Sequence, residues 1–84
     1  MDKEIRAELM ETMSETEVRV LQKMEARNFP DSVITTVVIA IQESKRAKEA
    51  AEEMEALLDK QATPREMVKA IQPIIRENEN LDTK

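Results

Sequence analysis

The chain has 84 residues, a net charge of −5, and no Gly, Cys, His, Trp or Tyr; Phe29 is its single aromatic residue. Those absences exclude disulfides, thiolate and imidazole chemistry, and every phosphate loop that depends on glycine. A chain this short buries only somewhat over ~60% of the surface its unfolded form exposes, so its core is thin and self-association would help it.

Without glycine no residue takes positive φ cheaply, which points to helices joined by capped turns. There is no hydrophobic leader and no apolar run near ~20 residues, so the expectation is a cytoplasmic protein with no membrane contact. Residues 1–30 carry seven acids and five bases, 31–62 seven and four, and 63–84 four and four. No segment forms a basic patch.

Asp2 is placed to cap a first helix over about 3–13 that carries Ile5, Leu9 and Met13. "SETE" then sets Ser14 three residues before Glu17, the spacing at which each side chain satisfies a free backbone amide of the other, and a second helix over about 15–28 follows. The competing reading is one unbroken helix over 3–27, because Ile5, Leu9, Met13, Val20 and Met24 share a stripe.

"RNFPDS" ends this arm, since Pro30 pushes Phe29 out of the helical region and itself suits the first turn of the next helix. The run that follows, "VITTVVIAI", is β-branched except for Ala40 and reads as strand by propensity. A strand there would need a partner for its backbone, and no second β-rich run exists in the chain. Ribbon-helix-helix repressors pair one such strand per subunit, but with one face polar, whereas this run is apolar on both. Helix is the reading that costs less.

As a helix the run continues without a breaker to about Lys60. Val33, Val37, Ala40, Ser44, Ala47, Ala51, Met54 and Leu58 are spaced alternately four and three apart, which is a heptad seam. The first half is apolar nearly all round and needs burial on several sides, while the second needs one neighbour. The expectation is a long central helix over about 31–60, pairing with its copy in a dimer through that seam. A monomeric bundle with the seam filled from within is the alternative.

"TPRE" marks the last helix, over about 64–77, with Thr63 as cap, Pro64 in the first turn and Glu66 at the reciprocal position. Pro73 lies within its apolar pattern and predicts a kink or a restart near Gln72. Residues 78–84 read as a frayed tail. The fold expected is therefore all-α, a small helical bundle in one domain, 1–84.

Chemistry is sparse. Glu49, Glu52, Glu53 and Glu55 form the one carboxylate cluster, but Lys45, Arg46 and Lys48 precede them at helical spacing and mark a solvated, ion-paired face. Helical dimetal sites built on carboxylates include Glu-x-x-His, which this chain cannot supply. Ser14 and Thr63 read as caps, not nucleophiles. Met10, Met13, Met24, Met54 and Met67 read as core filling, with a Met-lined groove for a partner helix as the alternative. No catalytic, cofactor-binding or metal-binding residue is assigned.

The stretch "SETEVRVLQKMEARNFPDSVI" resembles the opening two helices of helix-turn-helix effector domains, in which a capped helix is followed by a short turn and a second helix. That resemblance implies a nucleic-acid-binding regulator. Such domains place polar and basic residues on the second helix, where this chain has "VITTVVIAI", and the acidic balance opposes phosphate contact. The preferred expectation is a small acidic helical module for protein–protein interaction, a homodimer acting as adaptor or regulator of an unidentified protein partner, with nucleic acid not an expected ligand.

Overall fold

A computed structural model describes the backbone of residues 3–82 and the side chains of residues 3–77. Among the described residues five helices follow one another: α1 Lys3–Glu11, α2 Glu15–Ala26, α3 Asp31–Glu43, α4 Ala47–Asp59 and α5 Pro64–Asp82. No strand occurs among the described residues, and "VITTVVIAI" lies wholly within α3. Asp2, the expected first cap, and Thr83 and Lys84 lie outside the described residues.

The capping chemistry forms at both predicted starts. Ser14 Oγ accepts the Glu17 N–H at 3.3 Å while the Glu17 carboxylate accepts the Ser14 N–H at 3.1 Å. Thr63 and Glu66 make the same reciprocal pair at 3.2 and 3.0 Å. The Ser14 box separates α1 from α2, so the unbroken arm over 3–27 does not form.

Two helix ends use positive φ without glycine. Asn28, at φ 58°, follows α2, and Gln61, at φ 65°, follows α4. In each the backbone closes in the same way: Asn28 N–H donates to Glu25 O and Phe29 N–H to Met24 O, and Gln61 N–H donates to Leu58 O and Ala62 N–H to Leu57 O. This is the Schellman arrangement, in which the residue after the cap turns left-handed so that two orphan carbonyls gain donors. Phe29 and Ala62 then tuck into the core, as the motif's apolar partner position requires. Arg27 lies over the Phe29 ring at 5.1 Å, closing the turn from outside.

The expected long helix over 31–60 is instead two helices, α3 and α4, parted at Ser44–Arg46. Ser44 is extended at ψ 139°, and its Oγ accepts the Arg46 N–H at 3.1 Å. The cause lies in the phase of the apolar residues. Those buried in α3 centre on Ile34, Val37, Val38 and Ile41, and those in α4 on Ala50, Ala51, Met54 and Leu58. At about 100° per residue, Ile41 and Met54 would lie about 140° apart round a continuous helix. One chain cannot cover both faces of a straight rod, and the break turns the second face inward.

α2 packs mainly on α4 and α3 mainly on α5, with smaller α2–α3, α3–α4 and α4–α5 contacts. The core gathers Val20, Leu21 and Met24 from α2, the α3 and α4 residues above, and Met67 and Ile71 from α5. The radius of gyration is 12.2 Å, near the ~12 Å of a folded chain of this length. α1 contributes no buried residue; Arg6 pairs with Glu25 at 3.0 Å, and Gln42 Nε2 reaches Thr12 Oγ1 at 3.1 Å.

α5 shows no restart at Gln72 and runs on to Asp82 with Pro73 inside it. Pro73 and Lys69 both face solvent, so the carbonyl that loses its partner is open to water. The helix thereby includes residues 78–82 of the segment read as a tail.

Candidate interaction surface

The seam divides when placed in three dimensions. Val37, Ala40, Ala51, Met54 and Leu58 are buried, and Val33, Ser44 and Ala47 are half-buried. Within one chain their cover is α2, α5 and each other. Met24, Met54 and Met67 are fully enclosed, while Met10 and Met13 pack half-buried at the edge.

The carboxylate cluster divides too. Glu55 turns toward α2, where Arg19 Nε meets it at 2.7 Å and Lys23 Nζ at 3.1 Å; Lys23 also reaches Asp59 at 2.6 Å. The hydrogen bonds from Arg19 and Lys23 to this side chain, only 17% exposed, pull the Glu55 carboxyl down to about 2. The hydrogen bond to Glu55 raises Arg19 above its ordinary value, and Lys23 is raised by its hydrogen bond to Asp59 and then by that to Glu55. Glu49, Glu52 and Glu53 remain at the surface. Glu49 and Glu53 line a depression of about 110 Å³ with Arg46, Ile74 and Glu77. Among the described residues no group of three or more acidic side chains converges as a metal site.

A second concavity was not foreseen from the sequence. Between α3 and α5 an open groove of about 280 Å³ is lined by Thr35, Thr36, Ile39, Ala40, Glu43 and Ile75. Ile39 is 40% exposed, on the side of α3 away from Ile34, Val38 and Ile41. The helix supplies the groove floor through spacing, because Thr35, Thr36, Ile39 and Glu43 recur at one-turn intervals along a single stripe. Thr36 keeps its hydroxyl satisfied locally, donating to Ser32 O at 2.7 Å. The signal was the pair of threonines: they interrupt an apolar run at the one stripe that does not enter the core.

α2 and α3 do form two helices joined by a short turn, over the stretch that resembles helix-turn-helix domains. The exposed side of α3 presents Asp31, Ser32, Thr36, Ile39 and Glu43, with no Lys or Arg from residue 28 to 44. Lys45, Arg46 and Lys48 are exposed beyond its end. No helix among the described residues is long and apolar enough to cross a membrane. No family model matches the chain, and neither a curated protein nor a solved structure matches it.

Proposed function

We propose that this chain is a protein–protein interaction module, a small acidic helical domain that self-associates and serves as adaptor or regulator of a protein partner. The α3–α5 groove carries this reading: an open, apolar concavity with a large exposed isoleucine and, among the described residues, Glu43 as its single ionisable lining residue. Such a surface suits recognition of an apolar side chain more than bond-making chemistry, which needs convergent titratable groups.

The partner's chemistry follows from the surroundings. A helix laid along the groove would place an apolar residue over Ile39 and Ile75, and Glu43 in the groove lining would favour Lys or Arg flanking that residue. The occupant is thus an amphipathic helix with basic flanks. The test is an amide chemical-shift titration with a synthetic Lys-flanked helical peptide bearing leucine at its apolar centre. Shifts gathered on Thr35, Ile39, Glu43 and Ile75 support the assignment; none, or shifts gathered on α2 and α4, would refute it.

A further inference from the structure

We propose that the Ser44–Arg46 junction is a hinge through which two copies of this chain exchange halves. In the exchanged dimer α3 and α4 form one straight helix, α1–α3 of each copy packing on α4–α5 of the other. This rests on the reading of the chain as a self-associating module and names how the association occurs.

The four junctions are unequal. The turn before α2 has the Ser14–Glu17 box, the turn before α3 has the Asn28 Schellman closure, and the turn before α5 has both a Schellman closure at Gln61 and the Thr63–Glu66 box. The α3–α4 junction has one side-chain bond, Ser44 Oγ to the Arg46 N–H. α4 begins at Arg46 with no side-chain cap. Its residues, Ser44, Lys45 and Arg46, include neither glycine nor proline, and Lys and Arg favour helix. Lys45 and Arg46 are exposed, so straightening drags no charge through the core.

The packing also suits exchange. The two largest interfaces, α2 on α4 and α3 on α5, both join an element before the hinge to one after it. Exchange re-forms each of them between chains, while the straightened junction gains helical hydrogen bonds. The phase difference that forbids a straight helix in one chain is met in the dimer. There the Ile34–Ile41 face and the Ala50–Leu58 face are covered by separate bodies, one at each end of the rod.

Opposed hinge variants test this, with mass measured by light scattering after incubation at rising concentration. Ser44→Ala removes the one side-chain bond of the bent form and should raise dimer association about tenfold, since both hinges count. Lys45→Pro suits the extended Ser44 that precedes it but blocks a continuous helix, and should lower association at least about a hundredfold with helicity retained. Arg19→Cys and Glu55→Cys chains are also mixed, incubated as dimers and treated with a short bis-maleimide; the paired positions join α2 to α4 across the hinge. Cross-linking between the two chain types is expected in the dimer fraction. A protein that stays monomeric even as Ser44→Ala, a dimer indifferent to Lys45→Pro, or a dimer without that cross-link would each overturn the exchange. Peptide binding at Ile39, measured on monomeric Lys45→Pro, separates the readings: its survival there keeps the recognition surface whether or not exchange holds, and its loss counts against that surface alone.

Discussion

Gln61 shows how one residue can hold strain for the sake of a turn. A non-glycine residue in the left-handed region costs roughly 1–2 kcal/mol, less for Asn than for Gln because a short amide bonds locally. Gln61 is exposed and its side chain makes no contact the turn requires. Gln61→Gly should therefore raise stability by about 0.5–1 kcal/mol in urea unfolding followed by circular dichroism, and Asn28→Gly by less. A loss of stability in Gln61→Gly would remove the strain argument. Glu55 makes a second prediction at this scale. Its folded value, about 2, lies below its ordinary value, so its contribution is present above the unfolded value and fades as pH falls through about 2. The melting temperatures of the wild type and Glu55→Gln should differ at pH 7 and converge toward pH 2. A gap that persists at pH 2 would show that Arg19 and Lys23 are not its source.

Among the elements, the starts of α2, α3 and α5 were legible beforehand and the break between α3 and α4 was not. Ser14–Glu17 and Thr63–Glu66 announce α2 and α5 because the capping box is a local code of residue types at fixed spacing. The α3–α4 break has no such code. "ESKRAK" contains no helix breaker, and the bend arises from the relative phase of two apolar stripes, which matters only once α2 and α5 are in place. Asn28 and Gln61 were hidden for a different reason: without glycine, neither turn carries the residue by which a Schellman end is usually noticed. α1 is the loosest element, with no buried residue and Ile5 at 51% exposure. Its amides should exchange with solvent well before those of α2–α5, through local opening that leaves the core intact. Exchange of α1 together with α2, at the global rate, would contradict that order.

At the level of the molecule, the apolar run that first read as strand is a helix enclosed on one side and exposed along one stripe on the other. Val37 and Ile39 are two residues apart and belong to these different sides, the first fully buried and the second 40% exposed. Val37→Glu would bury an unpaired carboxylate and should cost several kcal/mol, of the order of the whole stability of a small domain. Ile39→Glu should leave folding within about 0.5 kcal/mol of the wild type, as surface substitutions do. The groove itself was beyond reach of the sequence, because Ile75 is brought to Ile39 only by the packing of α5 on α3. The most direct test of the recognition surface is the affinity of Ile39→Glu for the Lys-flanked peptide, measured on protein whose melting curve matches the wild type. Loss of the apolar contact that the peptide would make with Ile39 predicts binding weaker by roughly tenfold or more. Unchanged affinity would contradict the assignment of this groove as the recognition surface.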